Sequence, residues 1–62
     1  MRVEIWLKLT SKPIIIEQVT STYQKGDLFC VYTQHNQRVQ KWPVGDIWRV
    51  VEEYSDTDRR NL

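Results

Sequence analysis

Apolar and polar residues alternate from Arg2 to Leu9. Val3, Ile5, Leu7 and Leu9 fall on one side, and Arg2, Glu4, Trp6 and Lys8 on the other. A period of two belongs to a strand with one buried face, so the pattern predicts a first strand over 2–9. Thr10-Ser11-Lys12-Pro13 predicts a turn, because proline removes a ladder donor and hydroxyl side chains bond locally to the backbone. A second strand is expected over 14–22. Its triplet Ile14-Ile15-Ile16 breaks the alternation, so either both faces are covered there or a bulge shifts the register. Tyr23 to Asp27 predicts the next turn, with Gly26 free to take a positive φ. Leu28 to Thr33 is a third strand, apolar on both faces. Gln34 to Gln37 closes a short hairpin, and Arg38 to Trp42 is a fourth strand, mostly polar apart from Val39.

Pro43-Val44-Gly45-Asp46 then interrupts the pattern, since proline and glycine punctuate and an aspartate bonds nearby amides. The expectation is a single 3₁₀-like turn that puts Val44 or Ile47 into the core. Ile47 to Tyr54 reads as the fifth strand. A helix is the alternative, because Ile47, Val50, Val51 and Tyr54 fall at i, i+3, i+4 and i+7; the β-branched pair and Trp48 favour the sheet. Short strands joined by turns imply an all-β fold: an antiparallel meander curled into an SH3-like or Sm-like small barrel. Residues 1–54 form the domain, and 55–62, polar except for Leu62, read as a flexible tail.

Composition strengthens the β reading. Among 62 residues, valine and isoleucine number twelve and leucine four, and alanine is absent. Branched and aromatic side chains suit a pleated surface better than a helix. A domain this short hides only ~60% of its unfolded surface, and one cysteine forms no internal disulfide. Pairing with a second copy is one way to supplement such a core, which makes a homodimer or higher homo-oligomer an expectation. The start, Met1-Arg2-Val3-Glu4, does not resemble a secretory signal, and nothing approaches the ~20 apolar residues of a membrane helix. A cytoplasmic domain with no membrane partner is expected.

The stretch Gly26-Asp27-Leu28-Phe29-Cys30-Val31, followed by Val39 to Glu52 with its proline turn and Ile47-Trp48-Arg49-Val50-Val51, resembles the short β-meander proteins of phages and mobile elements of Gram-positive bacteria. The resemblance covers residues 2 to 54. It is structural and carries no catalytic residues. It implies a protein of a kind mostly without assigned activity, among which the understood examples often bind and block a host protein. If phage-encoded, the chain acts in the host cytoplasm.

Candidate chemistry is sparse. A nucleophile needs a base, and a base needs an orienting partner. The lone His35 falls in a hairpin tip and the lone Cys30 in the most apolar strand, where a cysteine behaves as a small hydrophobe. Glu52 and Glu53 are adjacent and so point to opposite faces of a strand. Two distant glycines build no phosphate cradle, and the ligands for a metal are too few. The expectation is a protein that is not an enzyme and holds no cofactor or metal.

Binding remains. Residues 1–45 carry six basic and three acidic side chains, and residues 46–62 three and five, so the halves stand at +3 and −2. Basic and aromatic residues mix at Trp6, Arg38, Lys41 and Trp42, with Tyr23 and Tyr32 near them. A small barrel uses such a mixture to bind single-stranded nucleic acid. The sequence pI of about 7.9 is low for that role. Trp, Tyr and Arg are also the residues of protein-interface hot spots. Three tryptophans exceed what so small a core easily takes up, so at least one is expected to be exposed. The reading is a non-catalytic binding module whose partner is a protein, such as a host factor that it inhibits, with Trp6, Arg38, Lys41 and Trp42 as binding residues. The alternatives are single-stranded nucleic acid on the same face, or a structural subunit of a larger assembly.

Overall fold

The computed structural model describes residues 1–55. Six strands follow one another: β1 (Arg2–Leu7), β2 (Ile14–Ile16), β3 (Ser21–Lys25), β4 (Leu28–Thr33), β5 (Arg38–Pro43) and β6 (Ile47–Glu53). Single 3₁₀ turns at Gln34–Asn36 and Val44–Asp46 precede β5 and β6. The strands form two antiparallel three-stranded sheets, ordered β2-β1-β6 and β3-β4-β5. Neither sheet closes on itself. The expected tail lies, from Asp56 onward, outside the described residues.

The core lies between the sheets. Alternation in β1 holds: Val3 and Ile5 are fully buried and join Ile16, Val19 and Val31. Phe29 and Trp42 pack on this cluster from the second sheet, and Leu7, Ile47 and Val50 from the first. The inner faces are therefore set by the odd positions of β1 and β4 and by the residues across from them. Of the two candidates in the proline turn, Ile47 packs on the core and Val44 stays exposed.

The expected second strand is two strands with a corner between them. Ile14 and Ile16 pair with Ile5 and Val3, and Ile15, opposite Glu4, is exposed. The isoleucine triplet thus keeps its alternation and spends one apolar side chain on solvent. The irregularity comes later. Gln18 adopts φ 56°, and Val19 then exchanges backbone hydrogen bonds with Met1, donating at 2.7 Å and accepting at 2.9 Å. Thr20 N–H next donates to Tyr32 O at 2.8 Å, so within two residues the chain leaves the first sheet and enters the second. A left-handed residue turns a strand sharply, which accounts for the corner.

The second expected turn is also shorter than its residues suggest. Tyr23, Gln24 and Lys25 belong to β3, leaving Gly26-Asp27 as a two-residue loop between Lys25 and Leu28. Gly26 has φ +61° while Asp27 does not take a positive φ, the pattern of a type II′ hairpin turn. The segment 47–53 is strand, as the β-branched residues favour. Val44 N–H donates to Asp27 O at 2.8 Å and Lys8 N–H to Asp46 O at 2.9 Å, so the second 3₁₀ turn ties the two sheets at one end.

Candidate functional site

The strand registers fix what each outer face presents. On the first sheet the outward positions of β1 are Arg2, Glu4 and Trp6, opposite Glu53, Val51 and Arg49 of β6. Arg2 ties this face together. Its Nε donates to Glu17 at 2.9 Å, and its Nη1 lies 3.1 Å from Glu53 and 3.2 Å from Glu4. Desolvation lowers the Arg2 pKa, and attraction to Glu53 with the hydrogen bond to Glu17 outweighs it, so the net displacement is upward.

At the other end of the same face the β1–β6 register slips. Arg49 faces Trp6 and Ile47 faces Leu7, which leaves Trp48 as the extra residue of a β-bulge. The indoles of Trp6 and Trp48 meet with centroids 5.8 Å apart and planes tilted by 59°. Offset or tilted aromatic pairs of this kind are attractive. Trp48 remains 57% exposed even so. The Nε1 of Trp6 is buried and has no hydrogen-bond partner among the described residues. Trp48 and Arg49 stand on the rim of an open groove of about 220 Å³ whose wall includes Gln24, Phe29, Val44 and Val50.

The second sheet presents a different outer face. Its rows are Ser21–Tyr32–Val39, Tyr23–Cys30–Lys41 and Lys25–Leu28–Pro43. No carboxylate occupies these positions, the nearest acid along the chain being Asp27 in the adjoining turn. Cys30 is fully buried although it lies on this outward side. Tyr23 and Lys41 flank it, and side chains of that length suffice to cover a thiol. Its Sγ lies 3.9 Å from Leu28 O. His35 is exposed in the first 3₁₀ turn, away from Cys30's strand face. Glu52 and Glu53 diverge as adjacent strand residues do: Glu52 accepts from the Thr22 and Tyr54 hydroxyls, each at 2.7 Å, and Glu53 from Arg2. Among the described residues no group of His, Cys, Asp or Glu is placed to hold a metal ion, and no helix is long and apolar enough to cross a membrane.

The four binding residues expected from the sequence are dispersed. Trp6 is on the outer face of the first sheet. Trp42 is half-buried against the core on the inner face of the second. Arg38 shares that parity but is exposed at the far end of β5, opposite Thr33. Lys41 lies on the second sheet's outer face with Tyr23 and Tyr32. The structure instead joins Trp6 to Trp48 and Arg49. Trp48 is among the three tryptophans of which the sequence implies at least one exposed, but alternation alone does not aim it, because the bulge at that residue resets the period. No family model, curated protein or solved structure matches the chain.

Proposed function

We propose that this domain is a non-catalytic module that binds another protein through the Trp6–Trp48 pair and the groove beside it. The observation that carries the reading is the exposure of Trp48 at the groove rim. A large indole left in water has a strong drive toward burial by a partner, and Trp and Arg dominate interface energetics. Arg49 supplies the charged neighbour. The same reading takes the two sheets as the halves of an open SH3-like small barrel. The 3₁₀ turn before the last strand, the return of that strand to β1, and the 14–25 segment shared by both sheets support it. The resemblance to phage-borne β-meander proteins adds the role of an accessory protein that inhibits a host factor in the host cytoplasm.

A pull-down from the native cell with the wild-type chain and with Trp48→Ala tests this reading. The expected result is a protein recovered by the wild type at moderate salt and lost with the variant, while both unfold at similar denaturant concentrations. Equal recovery by both chains counts against it.

A specific observation favours a second reading. The outer face of β3-β4-β5 pairs Tyr23 and Tyr32 with Lys25 and Lys41 and has no carboxylate in its rows. Rings that stack on bases beside cations that meet phosphates are the means of single-strand binding. Binding of an oligonucleotide that falls steeply with added salt and is lost in Lys41→Glu supports that reading over the first.

A further inference from the structure

Each sheet has two edge strands, and they are not equivalent. β2 has three residues. β5 ends in Pro43, which cannot donate to a ladder. β3 runs directly out of the corner at Gln18. β6 is the longest strand at seven residues, contains no proline, and among the described residues has a ladder partner in β1 alone. Its free edge offers unpaired N–H and C=O groups along its length, a template for one more strand.

The residues along that edge complement themselves. Arg49 to Glu53 is the regular part of β6, paired with Trp6 to Arg2 without a slip. Its centre is Val51. Antiparallel pairing of this stretch with its copy about a two-fold axis at Val51 puts Arg49 opposite the copy's Glu53 and Glu53 opposite the copy's Arg49. Val51 then meets itself, and Val50 faces Glu52. Every pair lies on a common face, as the pleat requires. Both charged pairs are attractive, and no like charges stand directly opposite. Arg49 is exposed and forms no ion pair among the described residues. Arg2 occupies only Oε1 of Glu53.

We propose that the chain forms a homodimer by β6–β6 pairing centred on Val51, joining the two first sheets into one continuous sheet ordered β2-β1-β6-β6-β1-β2. The bulge at Trp48 lies beyond the paired stretch, so the dimer carries one tryptophan pair at each end of the shared edge. This inference does not depend on what the tryptophan pair binds.

The charge pattern supplies its own test. Sedimentation equilibrium of the wild type is expected to show concentration-dependent dimers. Arg49→Glu puts glutamates opposite one another at both ends of the interface, and Glu53→Arg puts arginines there. Each variant alone is expected to dimerise about tenfold or more weakly. Mixed one to one, they restore both opposite-charge pairs, and a heterodimer of near wild-type affinity is expected. Val51→Lys, with like charges meeting on the axis, is expected to be monomeric at the same concentrations and replaces either charge variant that fails to fold. A wild type that stays monomeric, a mixture no tighter than its components, or a folded Val51→Lys that dimerises like the wild type overturns the proposal.

Discussion

The two sheets are alike inside and unlike outside. Both present branched and aromatic side chains inward, Val3, Ile5 and Ile16 from one and Phe29 and Val31 from the other. Outward, the first sheet carries the Arg2 network with Glu4, Glu17 and Glu53, then the Trp6–Trp48 pair beside Arg49. The second carries Tyr23, Tyr32, Lys25 and Lys41 with no acid among them. The inner faces converge because burial allows few residue types. The outer faces are free to differ, and the proposed binding surfaces lie there.

The sharpest way to break the likeness inside is at Ile5, fully buried between Ile14 and Val50 in the register of the first sheet. Ile5→Ala is expected to cost about 2–5 kcal/mol, enough to unfold much of so small a domain, as read by urea denaturation. The tight turn of the second sheet comes next. Gly26→Ala meets no atom within 4 Å, so only its φ of +61° resists the change. The expected loss is about 1–2 kcal/mol, without any change of packing in near-ultraviolet spectra. The opposite sign is expected at Gln37, whose φ of 52° closes the β4–β5 hairpin. Gln37→Gly is expected to stabilise by up to about 1 kcal/mol, seen as a higher melting temperature. The smallest effect on stability is expected on the second sheet's outer face: Lys41→Ala shifts unfolding by no more than about 0.5 kcal/mol. On the first sheet, Arg2→Met removes the cation that pairs with Glu4, Glu17 and Glu53. With three carboxylates left to repel one another, added salt is expected to stabilise the variant relative to the wild type. Because the Arg2 pKa is displaced upward, its own contribution is lost only at strongly alkaline pH.

Much of the fold was legible from the residues. The alternation of β1, the glycine turn at Gly26 and the 3₁₀ turn after Pro43 follow from local rules, and the structure contains all three. The corner at Gln18 was not legible, because a glutamine with positive φ leaves no compositional mark. The same holds for Tyr23 to Lys25. An edge strand with a wet face reads as a turn when a glycine follows it. The exposed isoleucine of β2 misled for a related reason, since an apolar side chain on an outer face looks like a break in register.

The candidate site was legible in kind but not in place. Three tryptophans in a short chain announce exposure, and Trp6 declares its side through the polar residues around it. Trp42 and Trp48 stand six residues apart, and simple alternation puts them on equivalent faces. The proline turn and the bulge intervene, sending Trp42 against the core and Trp48 to the groove rim.

The measurement that tests the central claim most directly is a titration of the protein recovered by the wild-type pull-down against wild-type and Trp48→Ala chains, with a urea curve for each. The account expects affinity to fall by about tenfold or more, with unfolding free energies within about 1 kcal/mol of one another. Unchanged affinity, or a loss of binding that merely tracks a loss of folded protein, contradicts it.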